Sequence, residues 1–339
     1  MFPDFGSYQT ESEFACGAVK TAARIGMKVQ SEMIGTQLAK QDRSPVTVAD
    51  FTCQALVAAA LSRAYPEDLL VAEEDSATLH RPEATDLRAA VIHYVAMHEP
   101  EAEPEQIDAW IDRGAGQPDR RFWVLDPVDG TAGFLRGQNW VVALALVEDG
   151  KLQVGALACP HLSLPGQPQS DPPIGHLLIA ARGRGTWAAP LGGEGFTRVH
   201  VSEQKDPRQA RLMGSVEPGH TDEEGLSALR VALGVGVPMV KLDSQAKAAS
   251  VAAGAGDLIV RLLPASHPEY QEKIWDQAAG ALIVEEAGGR VSDLRGAPLD
   301  FTAGRTLKGN YGVLVSNGYL HEAALEAVHR IGADGRGTA

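Results

Sequence analysis

The sequence is poor in cysteine, with only Cys16, Cys53 and Cys159 among 339 residues. Three scattered thiols support neither a disulfide scaffold nor a zinc cage. It also lacks an excess of basic charge: 30 Lys and Arg stand against 44 Asp and Glu, a net charge of −14. A basic nucleic-acid or membrane-surface footprint is therefore not expected. No apolar run approaches the length of a membrane-spanning helix; those at 55–61 and 140–147 are short. The opening Met1-Phe2-Pro3-Asp4-Phe5-Gly6 has neither the basic start nor the apolar core of a signal peptide. A cytoplasmic protein with no membrane and no nucleic-acid partner is the expectation. Internal repeats and long low-complexity tracts are missing as well. What is present, 44% apolar and 22% charged residues, is ordinary for one large or two smaller globular domains.

Apolar periodicity predicts an amphipathic helix over 11–36, carried by Phe14, Ala18, Ala22, Ile25, Val29 and Met33. A second helix is expected over 48–64, ended by Pro66, followed by a short strand at 68–72 that runs into Glu73-Glu74. Residues 80–120, which include an acidic stretch with two prolines at 99–105, read as an inserted excursion with one or two helices, either a lid or decoration. Beyond Arg121 the pattern turns to strands. Glu148-Asp149-Gly150-Lys151 between two apolar runs predicts a hairpin. Further strands are expected near 176–181, 185–188 and 197–201. From 207 onward strands at 211–216, 239–242, 257–262 and 312–316 alternate with helices at 223–233, 245–253, 274–286 and 319–331. This alternation indicates a layered α/β fold. Two domains are expected, 1–206 and 207–331, with a frayed tail at 332–339.

The chemistry concentrates in Asp126-Pro127-Val128-Asp129-Gly130-Thr131, at the end of the apolar strand Phe122-Trp123-Val124-Leu125. Proline cannot continue a ladder, so the chain is expected to turn at this strand end. Two carboxylates three residues apart across that turn can converge on one point. Gly130 permits an unusual backbone angle, and the N–H groups beyond it can face an anion. Hard anionic ligands beside such a backbone suit Mg²⁺ and phosphate. Glu73-Glu74 leaves another strand end, the usual place for site residues in a layered α/β protein. Asp276 and Asp50 each fall in the first turn of an expected helix, where an acid also complements the helix dipole. Taken singly, each has a bland structural explanation; taken together, in this order, they do not.

The Glu-Glu pair after a strand, Asp-Pro-Val-Asp-Gly-Thr, and the later Trp275-Asp276 resemble the motifs of the inositol monophosphatase-like superfamily of metal-dependent, lithium-sensitive phosphatases. The resemblance covers residues 14–321. Further segments look like the 3′(2′),5′-bisphosphate nucleotidase branch: residues 40–50, Gly133-Phe134-Leu135-Arg136-Gly137, Ser215 to His220, Leu242 to Lys247 and Tyr270 to Gly280. Two positions depart from the pattern. Ala132 stands where relatives often carry Lys, which bears on substrate handling or loop mobility. Ala72 stands where Gly is usual, a small-for-small change.

The resemblance implies an αβαβα sandwich of the sugar-phosphatase type and two or three Mg²⁺ ions. It implies that Asp126 bridges two ions, that Glu73 and the Val128 carbonyl complete the first site, and that Asp129 and Asp276 hold the second. A third, weaker site would lie near Glu73 and Asp50. Thr131, hydrogen-bonded to Asp50, would orient and help deprotonate the attacking water, and the Gly130-Thr131 backbone would hold phosphate oxygens. Ser244, Lys247 and Arg261 would grip the non-scissile 5′-phosphate, with His220 beside the adenosine. Arg136 is a further candidate or a surface ion pair, and His267 reads as loop. The substrate implied is adenosine 3′,5′-bisphosphate, with its 5′-phosphosulfate analogue as a second candidate. An inositol or other sugar phosphate, and a catalytically silent metal or nucleotide sensor, are the alternatives. The protein would act on a small phosphorylated molecule as a monomer or homodimer.

Overall fold

The computed structural model describes residues 1–34, 45–167, 175–193, 195–216, 222–263, 267 and 269–335. The chain opens with two long helices, α1 (Gln9–Ile34) and α2 (Pro45–Ala64), before β1 (Leu69–Ala72). The excursion that follows holds α3 (Thr85–Ala96) and α4 (Pro104–Asp112). Then come β2 (Arg121–Asp129), α5 (Thr131–Leu135), β3 (Val141–Glu148), β4 (Lys151–Cys159), β5 (His176–Ala181), β6 (Gly185–Pro190) and β7 (Thr197–Val199). These seven strands make one sheet in sequential order, parallel between β1 and β2 and antiparallel elsewhere.

The second half alternates strand and helix: β8 (Leu212–Gly214), α6 (Glu223–Leu233), β9 (Val240–Lys241), α7 (Ala246–Ala252), β10 (Leu258–Arg261), α8 (Ala278–Glu286), β11 (Arg290–Ser292), β12 (Val313–Ser316) and α9 (His321–Arg330). Its strands form a five-stranded sheet in the order β11-β12-β10-β8-β9. The period-2 alternation of β2 shows how the layers stack. Trp123 and Leu125 join a core with α1 and α2, whereas Phe122 and Val124 join a second core with α7 and α8. That second core also takes Val313 and Val315 of β12, while Leu314 faces a third core with α6 and α9. The order is therefore helices, sheet, helices, sheet, helices: the expected αβαβα sandwich. Among the described residues no helix is long and apolar enough to cross a membrane.

Local chemistry explains the elements that sequence reading located. Asp149 and Gly150 both adopt left-handed angles, φ 49° and 73°, as a tight two-residue hairpin demands. The Asp222 side chain caps α6 through the Gly225 N–H, and left-handed Gly234 ends it.

Four expectations need correction. First, the chain does not turn at Pro127: β2 continues to Asp129. Its register against β3 shifts between Asp126, opposite Ala143, and Asp129, opposite Val141. Three steps on β2 thus oppose two on β3, a bulge that accommodates the residue lacking an N–H. Second, α2 starts at Pro45, so Asp50 lies in its second turn, beyond most of the dipole's reach. Third, α8 starts at Ala278, leaving Asp276 in the turn before it. Fourth, the beginning of the tail is docked, not frayed. Asp334 is 4% exposed and pairs with His329 at 2.9 Å, while its carbonyl accepts from Arg295 Nε. Residues 336–339 lie outside the described residues.

Candidate active site

Parallel pairing of β1 with β2 sets Ala72 opposite Leu125, so Glu73, just past the end of β1, comes beside Asp126 within β2. The β2 bulge then brings Asp129 round to the same end of the sheet. Asp276 arrives from the other half, in the turn that leads into α8, which packs on the opposite face of this sheet. Together Glu73, Asp126, Asp129 and Asp276 line a cleft of about 530 Å³ between the two halves of the fold. Asp50 is not among the lining residues; it is buried on α2 within reach of the Glu73 and Glu74 charges.

The electrostatics record this convergence. Burial pushes the Asp126 carboxyl well above the ordinary range, and the charges of Asp129, Asp276, Glu73 and Asp50 push it further. Asp276 is raised by burial, then by Asp129 and Glu272. Asp50 is raised by burial, then by Glu74 and Glu73. Acids distant in sequence therefore act on one another as a cluster. The Asp126 Oδ1 atom is buried with no hydrogen-bond partner, an arrangement costly for a polar atom unless a cation supplies the missing contact. Among the described residues no three of these acids stand close enough to one point to form a finished cage. The residues nonetheless fit a divalent cation: the donors are hard oxygens, they share one cleft, and one is orphaned.

Supporting contacts fix this geometry. The Gln245 N–H donates to Asp129 Oδ2 at 2.6 Å. The Gln245 side chain donates to the Trp275 carbonyl and accepts from the Gly280 N–H, tying α7 to the Trp-Asp turn and α8. Gly130 has φ 95°, and a Cβ there would lie 2.9 Å from Ser244 Cβ, so any other residue after the bulge would be strained in its backbone and crowded. Ser244, itself at φ 66°, packs on this turn.

Opposite charge enters from the second half. Lys247 and Arg261 line the same cleft. Burial depresses the Lys247 ammonium to about 8, against the opposing pull of Asp129. Burial likewise works against Arg261, but Glu272, accepting from its Nε at 2.8 Å, holds its pKa up. Thr131 and Ala132 line the mouth, with Thr131 exposed. Among the described residues no hydrogen bond joins Thr131 to Asp50. Arg136 is ion-paired with Asp243, and exposed His267 lies 3.5 Å from Glu269. His220 and the segment 35–44 lie outside the described residues. The sequence does not single out Gln245, Asp243 and Glu272 as site-shaping residues. Gln245 and Asp243 sit inside the Leu242 to Lys247 segment, yet only packing shows what their side chains hold.

The inositol monophosphatase family model matches residues 10–333 of this chain. The chain belongs to the inositol monophosphatase family. Members of the family are in general metal-dependent, in keeping with the orphaned Asp126 oxygen. The 3′(2′),5′-bisphosphate nucleotidase of Emericella nidulans is 38% identical over 351 residues, covering 96% of this chain and 99% of the relative. The Schizosaccharomyces pombe enzyme of the same name is 38% identical over 338 residues, covering 95% of each. Among solved structures, an inositol monophosphatase from Zymomonas mobilis superposes with a TM-score of 0.64 at 21% identity, covering 96% of this chain and 99% of that one. The last likeness bears on fold alone.

Proposed function

We propose that this protein is a Mg²⁺-dependent phosphomonoesterase that removes the 3′-phosphate of adenosine 3′,5′-bisphosphate, with its 5′-phosphosulfate analogue as a further substrate. The observation that carries the reading is the two-signed cleft. Four carboxylates on one side suit cations at a scissile phosphate. Lys247 and Arg261, both close enough to pull on Asp129, suit a second phosphate that a monophosphorylated inositol lacks. Relatives 38% identical along nearly their whole length carry the bisphosphate nucleotidase name, which favours the same substrate class. Retention of all five acids and Thr131 argues against a silent sensor.

In this reading Glu73 and the Val128 carbonyl would hold one ion, Asp129 and Asp276 would hold another, and Asp126 would contribute to both. Asp50 lies behind a third position at Glu73. When bound, such ions neutralise the phosphate, activate water and stabilise the leaving oxygen. The protein's own contribution is orientation. Gln245 fixes the Asp129 carboxylate, Gly130-Thr131 receives phosphate oxygens, and the Thr131 hydroxyl at the mouth aligns the attacking water. Ser244, Lys247 and Arg261 hold the 5′-phosphate, with His220 proposed beside the adenosine. We further infer two domains meeting near residue 206, where the first sheet ends and the second begins. A cytoplasmic setting suits three free, buried thiols.

The test is phosphate release, with Mg²⁺ and with chelator, from adenosine 3′,5′-bisphosphate, its phosphosulfate analogue, adenosine 2′,5′-bisphosphate, inositol 1-phosphate, inositol 1,4-bisphosphate and fructose 1,6-bisphosphate. The adenosine bisphosphates should turn over fastest and only with the metal. Faster turnover of an inositol compound would overturn the substrate and keep the chemistry.

A further inference from the structure

Residues 80–120, the excursion before β2, contribute nothing to the lining of the cleft, yet their backbone converges on the segment that carries Glu73. The Ala72 N–H donates to the Gly114 carbonyl at 2.9 Å, and the Gly116 N–H donates to the Leu70 carbonyl at 3.0 Å. Neighbouring atoms crowd the space beside both glycines. A Cβ on Gly114 would lie 2.4 Å from Gln54 Nε2 and 3.0 Å from Ala72 Cβ, and one on Gly116 would lie 2.3 Å from the Leu70 oxygen. A side chain at residue 114 would crowd the methyl of Ala72.

Two side chains close on this junction from opposite sides. Arg305 donates through Nη2 to the Ala72 carbonyl, and through Nη1 to the Gly114 and Gly116 carbonyls at 3.0 and 3.2 Å. Its guanidinium also lies 4.9 Å from the centre of the Trp275 ring, and its own carbonyl accepts from the Ile274 N–H at 3.2 Å. One residue thus touches both the Glu73 strand end and the turn that bears Asp276. Gln54, fully buried one helical turn beyond Asp50, donates to the Glu74 carbonyl at 2.7 Å and to the Ile111 carbonyl at 2.8 Å. It accepts from the Glu74 N–H at 3.0 Å. All six of these side-chain hydrogen bonds end on backbone flanking Glu73 or on backbone of the excursion.

We propose that Gln54 and Arg305 are positioning residues that clamp the backbone on either side of Glu73 and set its place relative to Asp276, with the excursion as the frame they grip. Their importance for metal use rests on the reading of Glu73 as a metal ligand; the clamp itself does not. A ligand carboxylate on a short strand end has few contacts of its own, so its position is inherited from what holds the backbone.

The experiment compares Arg305→Lys, which keeps the charge but loses the planar fork, with Gln54→Met and with Arg113→Lys. Arg113 braces the entrance to β1, donating to the Tyr65, Pro66 and Asp68 carbonyls, and serves as the control for general destabilisation. In metal-free protein, amide hydrogen exchange at 72–75 should accelerate in Arg305→Lys and Gln54→Met but not in Arg113→Lys. With substrate, the Mg²⁺ concentration for half-maximal phosphate release should rise about 10-fold or more in the first two, while kcat at saturating Mg²⁺ changes far less. Arg113→Lys should lower Tm without moving the Mg²⁺ requirement. Unchanged exchange at 72–75 in both clamp variants overturns the clamp. Faster exchange with an unchanged Mg²⁺ requirement overturns its role in placing Glu73. If the unsubstituted protein releases no phosphate from any substrate, the proposed function fails, and the exchange measurement still decides the clamp.

Discussion

At the scale of single residues, the site is a set of acids placed where each is unfavourable alone. Asp126 is the extreme case: 3% exposed, surrounded by like charge, with one oxygen lacking any partner. Asp126→Asn removes that repulsion and the ligand together. Phosphate release should fall by at least about 10²–10³-fold, while the chelated protein melts at the same or a higher temperature than the parent. A stopped assay and a circular dichroism melt check both, and near-normal turnover at millimolar Mg²⁺ would sink the role of Asp126. Lys247 tests specificity instead. Lys247→Ala should reduce kcat/KM for adenosine 3′,5′-bisphosphate by roughly 10–100-fold, the scale of a lost charge-assisted contact. Turnover of a monophosphate such as inositol 1-phosphate should change little. Equal losses on both substrates would show that Lys247 acts on the carboxylates rather than on a second phosphate.

At the scale of elements, the β2 bulge and the turn into α5 aim the motif. Pro127 cannot donate, the bulge leaves room for that, and Asp126 and Asp129 are delivered to one end of the sheet. The left-handed Gly130 then reverses the chain against Ser244. Gly130→Ala meets both an unfavourable backbone angle and a 2.9 Å contact, so it should cost roughly 1–3 kcal/mol of stability and most of the activity. Urea unfolding and turnover of the same preparation measure the two losses. A variant that keeps full activity would show that the turn is free to relax. The motif was legible as a string, but its local path was not. A proline after an aspartate reads as a stop, and only cross-strand register reveals a bulge. Sequence patterning likewise sets Asp50 and Asp276 in first helical turns, because apolar periodicity marks the faces of helices better than their ends.

At the scale of the whole molecule, the two halves are joined by a shared core and an acidic cleft. The cleft makes stability depend on protons and cations. Burial, then Glu73 and Asp75, push the Glu74 carboxyl up to about 7 from an ordinary 4.5, and Asp50, Asp126, Asp129 and Asp276 are raised as well. A raised acid binds more protons folded than unfolded. Its contribution to stability is therefore complete below about 4.5 and lost as pH rises through the folded value. For Glu74 that window is about 4.5 to 7. In chelator, the acid cluster should lower Tm across this window, and Glu74→Gln should flatten part of the fall. Saturating Mg²⁺ should raise Tm most at the alkaline end, where cations replace the missing protons. Thermal melts across pH, with and without the metal, check the sign. A metal-free Tm independent of pH, with no response to Mg²⁺, would mean that the acids do not act as one cluster.

The amino-acid pattern alone specifies the elements and the inventory of chemistry. Period-2 and helical apolar patterns, an Asp-Gly hairpin and the acidic motifs are local features that any short window of the chain exposes. It also determined the layered class, because alternating strands and helices have few ways to bury their apolar faces. Tertiary structure alone decided which polar groups meet. Parallel registry sets Glu73 beside Asp126, packing of α8 on the first sheet brings in Asp276, and Gln54 and Arg305 reach backbone 20 and 233 residues away. A hydrogen bond or a like-charge repulsion acts over a few ångströms of space and leaves no period in the sequence, so the residues that shape the site appear only when the layers close.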